Sequence, residues 1–122
     1  MTQAMPAAAP VKAQINIAVL EQIDVRVGTV ESVSPIEGAD KLVKLEVNFG
    51  NFMRTIVVGL KLERANPREI EGKQALFVVN LAPRRMRGVV SEGMLFDIGY
   101  ADGIAPVLAV PELPVPNGAR AG

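Results

Sequence analysis

The chain has 122 residues, with thirteen basic and thirteen acidic side chains and neither histidine nor cysteine. This length suits one domain, and the 49% apolar composition is enough for a self-standing core. Serine triads, cysteine nucleophiles and zinc sites all lack a required residue type, so we expect no enzyme and no bound metal. The zero net charge excludes a bulk attraction to nucleic acid, so such binding would need a local basic patch.

The N-terminal stretch, residues 1–14, is rich in alanine and proline and predicts a disordered tail in front of a domain over residues 15–122. No apolar run approaches the length of a membrane helix, and the absence of cysteine is typical of a reducing compartment, so we expect a cytoplasmic protein without membrane contact. Behind the tail, Ile15, Val19 and Leu20 recur at helical spacing. They predict a short helix over Ile15–Gln22 that closes one end of the core.

Apolar residues then alternate with polar ones in three successive segments. The first covers Ile23–Val33, where Gly28 suggests a bulge or a sharp bend. The second covers residues 44–49, and the third lies in Met53–Gly59 with a run of β-branched residues. Period-two alternation of this kind predicts strands, and the short loops between them predict a meander.

The second half of the chain adds a helix and more strands. Asn66 as a cap, Pro67 at the first helical position and Gly72 as a stop predict a short helix. Strands are predicted at Gln74–Val79 and Met94–Ile98 on either side of a polar connection, with an extra strand left open at Val107–Val110, and the proline-rich C-terminus predicts an extended surface segment. A mainly β chain with five strands and a helix between the third and the fourth has the element order of an OB-fold barrel.

The densest positive feature lies in the polar connection before the fifth strand. Arg84, Arg85 and Arg87 fall within four residues, in the loop that flanks the ligand face of an OB-fold. Arginine suits phosphate because its planar fork bonds two oxygens at once. Lys41 and Lys44 would extend this patch, although a charged loop that is merely solvated remains the alternative.

Aromatic residues and glycine-rich loops are scarce. The four phenylalanines and one tyrosine offer few stacking platforms, and Phe77 and Phe96 lie in apolar strand segments where core packing is expected. A basic loop without such a platform favours folded RNA recognised by shape and backbone. Neither a Walker-type nor a dinucleotide-binding glycine motif occurs, so we expect no cofactor.

Four motifs, in chain order, carry a family resemblance. They are DVRVGTV at Asp24–Val30, GADKL at Gly38–Leu42, NLAPRRMRG at Asn80–Gly88 and SEGM at Ser91–Met94. Together they resemble the free-standing tRNA-binding domain family, which includes the C-terminal appendix of methionyl-tRNA synthetases, the endothelial-monocyte-activating-polypeptide domains and the chaperone CsaA. The resemblance extends from about Ile15 to Gly118.

The resemblance implies an OB-fold with a short C-terminal extension, a homodimer, and binding to the outer elbow of tRNA. With no synthetase catalytic domain in the sequence, any role in aminoacylation would be in trans to a synthetase. An export-related chaperone like CsaA, holding unfolded chains in an apolar groove at a dimer interface, is the alternative. The motif positions that match the family's RNA-contact segments are Lys41, Asn80, Arg84, Arg85, Arg87, Ser91 and Met94.

Each of these side chains has an expected role. The lysine and the arginines would contact phosphates, Asn80 and Ser91 would bond sugars or bases, and Met94 would make an adaptable apolar contact. Asn80 could instead tie down its loop, and Met94 could belong to the core. The sequence departs from the family at Ala82, Glu92 and Val58, where many relatives have Lys, Gln and Ser. Each departure weakens a polar or positive RNA surface.

Overall fold

The structure, a computed structural model, describes residues 7–60 and 64–122. Of the predicted tail over 1–14, residues 1–6 lie outside this range, and residues 7–14 are exposed and form neither helix nor strand. The division into a tail and a domain from residue 15 stays a prediction.

The fold is mainly β, as the alternating sequence pattern predicted. The strands in the described residues are β1 (Val25–Pro35), β2 (Val43–Asn48), β3 (Met53–Val58), β4 (Gln74–Val78), β5 (Arg84–Met86), β6 (Val89–Ser91), β7 (Met94–Leu95), β8 (Asp97–Ile98), β9 (Val107–Leu108) and β10 (Arg120–Ala121). The main antiparallel sheet has the order β3-β2-β1-β4-β7, and β10 pairs with β1. This curled sheet is a half-barrel consistent with the predicted OB-like fold.

The long first strand bends so that it can pair with β2 along one half and with β4 along the other. The register shifts between Val30 and Ser32, so the bulge lies at Glu31. Of the two predictions for Gly28, the bulge is wrong, because Gly28 is paired in register with Ala75, and the sharp bend stays a prediction. What requires a glycine there is the close approach of the core.

The core fills the concave side of the half-barrel. Alternate residues of β2, such as Leu45 and Val47, are fully buried together with Ile56 of β3. Phe49 meets Phe77 edge to face, with ring centroids 5.5 Å apart, and stacks on Phe52 at 5.1 Å. Offset-stacked and edge-to-face pairs are the arrangements that aromatic quadrupoles favour, so this cluster fixes the barrel interior.

The predicted N-terminal helix is present but short. Helix α1 covers Ile17–Leu20, and the Asn16 side chain caps it by accepting a hydrogen bond from the Ala18 N–H at 3.0 Å. The expectation that it closes the core is wrong, because none of its residues is buried. Within residues 7–60 and 64–122, no helix has the length and apolar character needed to cross a membrane.

Between β3 and β4 the predicted short helix is a 3₁₀ turn at Pro67–Ile70, which buries Ile70 completely. Pro67 stands at its start as expected, but the Asn66 side chain makes no capping hydrogen bond. Glu69 pairs with Arg64 instead of reaching back to the cap. The turn thus relies on proline and on burial of Ile70.

Two hairpins lie where the sequence pattern predicted a loop and a single strand. The connection Leu81–Glu92 contains the hairpin of β5 and β6, and the expected strand Met94–Ile98 is divided into β7 and β8. Strand β8 leaves the main sheet to pair with β9, which is the extra strand that the sequence left open. Phe96, expected in the core, is 44% exposed at this division.

The C-terminal extension, predicted as an extended surface segment, lies along β1. The Val27 N–H donates to the Ala119 carbonyl at 2.9 Å, and the Gly118 N–H donates to the Val27 carbonyl at 2.7 Å. Farther along, the Asn117 side chain accepts hydrogen bonds from Thr29 Oγ1 at 2.8 Å and from Gln74 Nε2 at 3.0 Å. The extension therefore covers part of a sheet edge that would otherwise be unpaired.

Candidate nucleic-acid interface

The arginine-rich segment forms a tight β-hairpin. Strands β5 and β6 are joined by Arg87 and Gly88, which have φ angles of 52° and 81°. Positive φ at both central residues is the signature of the two-residue type I′ turn, which suits the twist of a hairpin. The turn presents the Arg87 side chain at the tip, and Arg84 and Arg85 are exposed behind it.

A small second core anchors this hairpin to the barrel. Met86 and Val89, opposite each other in the hairpin register, pack against the buried residues Ile36, Ala39 and Val57. Ile36 and Ala39 belong to the loop between β1 and β2, and Val57 belongs to β3. The hairpin and this loop are thus held at a fixed distance from each other.

Two lysines join the arginines at this anchor. Lys41 is exposed in the β1–β2 loop and lines one shallow pocket together with Arg87. Lys44 lies directly opposite Val57 in the β2–β3 register, so the two side chains share the sheet face on which the hairpin packs. The sheet face and both flanking loops are the surface that OB-folds use for oligonucleotides.

We call Lys41, Arg84, Arg85 and Arg87 the basic cluster. Within residues 7–60 and 64–122, none of these four side chains forms an ion pair or a hydrogen bond with the protein. Two arginines on the barrel are engaged instead. The Arg26 guanidinium donates to the Asp24 carboxylate and holds the pKa of that carboxyl below its ordinary value. Arg54 donates to two backbone carbonyls, of Val79 and of Glu92, and lies over the Phe52 ring. The basic cluster thus gathers four cations without a partner among the described residues on one hairpin and its neighbouring loop.

Carboxylates border the basic cluster on the same sheet face. The Glu46 carboxylate accepts a hydrogen bond from the Thr55 hydroxyl at 2.9 Å, and Glu92 Oε1 lies 3.5 Å from the Thr55 nitrogen. Glu92 directly follows β6, so the two acids face the region behind the hairpin. A polyanion that binds the cluster would be repelled here, and this confines its phosphates to the hairpin and the loop.

Asn80 and Ser91 have their polar atoms engaged inside the protein. Asn80 Oδ1 accepts from the Asp24 N–H at 2.9 Å, and its Nδ2 donates to the Gln22 carbonyl at 2.7 Å, so the residue fastens the segment after α1. Ser91 is buried, where its Oγ accepts from the Val57 N–H at 3.0 Å and donates to the Gly93 carbonyl at 3.2 Å. RNA contact by either residue stays a prediction.

Removing the Ser91 hydroxyl should destabilise the fold. In a Ser91→Ala variant the buried Val57 N–H loses its acceptor, and an unsatisfied buried donor costs about 1–2 kcal/mol. Denaturant unfolding would measure this loss. Equal stabilities of the variant and the parent would show that the hydroxyl does not pin β6 to β3, and a tRNA titration of the folded variant reports any direct RNA contact separately.

Met94 lies in a different place from the basic cluster. It is 46% exposed and lines an apolar cleft of about 1260 Å³ with Ile17, Leu20, Asn80 and Phe96. The structure therefore brings Lys41 and the three arginines together at the hairpin and places Asn80 and Met94 at the cleft. The helical spacing of apolar residues in α1 is the sequence feature that indicates this cleft. The same spacing also predicts packing on the core, so it does not distinguish the two.

No group of three or more acidic side chains in the described ranges could hold a metal ion. The candidate site comprises the basic cluster on the hairpin and its neighbouring loop, and the apolar cleft is a separate surface.

A family model described as "Putative tRNA binding domain" matches residues 25–120. The chain belongs to this family. The match spans β1 to β10 and includes all seven residues that the sequence motifs indicated.

The relatives include one much larger protein and several of similar size. The methionine–tRNA ligase of Bacteroides fragilis is 40% identical over 101 residues, which cover 83% of this chain and 15% of the ligase. The crystal structure of a MetRS-related protein from Pyrococcus horikoshii is 38% identical, has a TM-score of 0.83 and covers 91% of this chain and 100% of that one. The chaperone CsaA from Bacillus anthracis is 29% identical, with a TM-score of 0.78 and coverages of 90% and 100%.

Proposed function

We propose that this protein is a tRNA-binding accessory protein that recognises folded tRNA by shape and backbone. The observation that carries the proposal is the basic cluster, in which four cations without a partner among the described residues are held on one hairpin and its neighbouring loop. Each phosphate that such a cation neutralises releases counterions, so binding is strong at low salt and falls as salt rises. Membership of the tRNA-binding domain family supports tRNA as the nucleic acid.

The distribution of aromatic residues supports folded rather than single-stranded RNA. Phe49 and Phe77 are buried, Phe52 packs under Arg26 and Arg54, and Phe96 lines the apolar cleft. Readers of flexible strands stack bases on exposed aromatics. Tyr100 is exposed in a 3₁₀ turn at Tyr100–Asp102, and within the described residues neither the small core under the hairpin nor the shallow pocket beside it contains an aromatic side chain. Backbone contacts from a cationic hairpin suit a structured RNA.

The protein would act in the cytoplasm and in trans to an aminoacyl-tRNA synthetase, as a binding module without catalysis. Its relative in Bacteroides fragilis is a methionine–tRNA ligase, of which this chain spans 15%. In this proposal a synthetase supplies the chemistry and this protein supplies additional RNA affinity.

A titration with tRNA across salt concentrations tests the proposal. Cytoplasmic tRNA should bind at low salt, and the logarithm of the association constant should fall linearly with the logarithm of salt concentration. Double-stranded DNA of similar charge serves as the control and should bind more weakly. Absence of tRNA binding at low salt would refute the proposed function.

We also propose that two copies associate through the apolar cleft. Ile17, Leu20 and Ile23 line this cleft of about 1260 Å³ and are 65%, 54% and 49% exposed. Exposed apolar residues gathered in one place mark interaction surfaces. Two of the cleft's exposed charged residues, Glu21 and Arg120, have opposite signs, so a symmetric partner can pair them. Two basic clusters on one particle would multiply a modest affinity if one RNA spans both.

Light scattering should give twice the 13.0 kDa mass of the chain. A Leu20→Glu variant should shift the mass to that of one chain, because it places a charge in the cleft without disturbing the core. Leu113→Glu is the matched control: Leu113 is 71% exposed, lies outside the cleft, and its variant should remain dimeric. A wild-type mass of 13.0 kDa would rule out the dimer.

The apolar cleft also favours a second candidate function, that of a chaperone like CsaA. An unfolded chain would then occupy the cleft through its apolar side chains. Suppression of aggregation of a heat-unfolded client, lost in Leu20→Glu but retained in the Arg84→Ala and Arg85→Ala double variant, would support this function. Competition between client and tRNA would show whether the two surfaces overlap.

A further inference from the structure

One asparagine belongs to the dipeptide in which asparagine deamidates most readily. Asn117 is followed by Gly118, whereas the other asparagines precede isoleucine, phenylalanine, proline or leucine. In deamidation the backbone nitrogen of the next residue attacks the side-chain amide carbon, and a glycine has no side chain to hinder this approach. The sequence therefore identifies Asn117 as the asparagine most open to this reaction.

The reaction has a cyclic intermediate and two products. The Gly118 nitrogen forms a bond to Cγ of Asn117, and its proton leaves with the Nδ2 group as ammonia when the Cγ–Nδ2 bond breaks. Water then opens the resulting succinimide ring at either carbonyl. One product is aspartate with the normal backbone, and the other is isoaspartate, whose backbone runs through the former side chain and is longer by a methylene.

The docked C-terminal extension engages both reacting groups. The Gly118 N–H donates to the Val27 carbonyl at 2.7 Å, so the attacking nitrogen belongs to a sheet hydrogen bond. Asn117 Oδ1 accepts from Thr29 Oγ1 at 2.8 Å and from Gln74 Nε2 at 3.0 Å, which fixes the orientation of the amide. Because the nitrogen must give up its proton, the reaction requires the bond to Val27 to break.

The extension can open without unfolding of the barrel. None of the residues 111–122 is buried, and β10 consists of the exposed pair Arg120 and Ala121. Hydrogen bonds attach the extension, among them two between the Gln74 side chain and the backbone of Val115. Segments that bury little apolar surface open at a lower free energy than the core. The rate of deamidation would thus report how often the extension leaves the sheet.

The space around the dipeptide leaves no room for a longer backbone. A Cβ on Gly118 would clash with the Phe49 carbonyl oxygen, and a Cβ on Gly50 would lie 2.7 Å from the Asn117 carbonyl oxygen. The turn after β2 and the extension therefore approach each other backbone to backbone. An isoaspartate at this point cannot dock again, whereas an aspartate keeps an Oδ1 acceptor for the same two donors.

We propose that Asn117 is a deamidation site that the docked C-terminal extension protects, and that its isoaspartate product keeps the extension off β1. The converted protein then exposes the edge of β1 at Val25 and Arg26, which pairs with β10 in the intact chain. An unpaired edge is a template for pairing with another chain, so the modification changes what the barrel can associate with. This chemistry involves no residue of the basic cluster and is independent of RNA binding.

Mass spectrometry of protein incubated at mildly alkaline pH tests the protection. Trypsin releases residues 88–120 as one peptide in which Asn117 is the only side-chain amide, so a deamidation mass gain there identifies the site. Protein unfolded in guanidinium chloride should convert at least about tenfold faster than native protein, because the native chain reacts only in its open fraction. Equal rates in the two states would overturn the proposal.

Two matched variants test the role of the extension. Thr29→Val removes one donor to Asn117, so the native variant should convert about fivefold faster than native wild type, the effect of one hydrogen bond on the open fraction. Thr55→Val removes a hydroxyl that donates to Glu46 instead, and it should convert at the rate of wild type. An unchanged rate in Thr29→Val, or equal acceleration in both variants, would contradict protection by the extension.

Digestion by a carboxypeptidase tests the fate of the product. The isoaspartate form, purified by ion exchange and confirmed by peptide mapping, should lose its C-terminal residues faster than wild type, because such enzymes act on the open segment. A freshly purified Asn117→Asp variant has the added charge and a normal backbone, so it should resist digestion as wild type does. Resistance of the isoaspartate form would overturn its release from β1, and equal sensitivity of both forms would overturn the role of backbone length.

Discussion

Replacing Arg84 and Arg85 together by alanine is expected to reduce tRNA affinity by at least about tenfold. Both guanidinium groups are exposed, and neither has a protein partner among the described residues, so the loss comes from phosphate contacts and not from broken internal ion pairs. The salt dependence of binding should also become weaker. Each lost phosphate contact reduces the magnitude of the negative slope of log affinity against log salt by about 1. Electrophoretic shift or fluorescence titrations at several salt concentrations measure both quantities.

A second double variant controls for net charge. Arg68→Ala with Lys73→Ala removes the same two positive charges from exposed positions in and after the 3₁₀ turn. If binding depends on where the charges lie, this variant should retain most of the affinity and the slope of the parent. Equal losses in the two double variants would contradict a site-directed interface and would indicate attraction by overall charge.

A Gly28→Ala substitution is expected to lower the free energy of unfolding by about 3 kcal/mol, the upper end of the cost of overpacking a core. A Cβ at this position would lie 2.6 Å from Val47 Cγ1 and 2.7 Å from Phe49 Cε1. The Phe49 ring cannot retreat easily, because it stacks on Phe52 and meets Phe77 at its edge. The strain therefore has to be relieved by a shift of β1 against β2.

Denaturant unfolding of this variant checks the prediction. Gly72→Ala is a useful comparison, since a Cβ there would meet no atom within 4 Å and only its φ of 85° opposes a side chain. The expected loss is smaller than at Gly28, about 1 kcal/mol for the left-handed backbone alone. A Gly28→Ala variant as stable as wild type would show that the barrel interior has free space.

The sequence predicted the strands of the barrel because each of them has one buried face and one exposed face. The alternation at Leu45 and Val47 is visible without any knowledge of their partners. Helix α1 shows the limit of this reasoning: its apolar stripe is as periodic as a core stripe, yet the stripe lies at an open cleft. Periodicity identifies an amphipathic element, but tertiary structure decides what its apolar face contacts.

The sequence revealed the charged residues of the candidate site but not the hairpin that holds them. Three arginines within four residues are evident in the sequence, whereas the hairpin that carries them has strands of three residues preceded by a proline. Its anchor joins Ile36, Val57 and Met86, which are far apart along the chain. The hydrogen bonds of Asn80 and Ser91 likewise reach backbone groups 56 and 34 residues away, so the side-chain type alone did not reveal their partners.

The hairpin packs on its own small core, so the free energy of local unfolding should be lower for the hairpin than for the barrel. Among the residues that the structure describes, three buried side chains support the hairpin, whereas thirteen form the main core of the barrel. Backbone amides of β5 and β6 should therefore exchange with solvent deuterium through openings that leave the barrel folded, while amides of β1 and β2 exchange only on global unfolding. Heating would release the basic hairpin first, so RNA binding would be lost below the melting temperature of the domain.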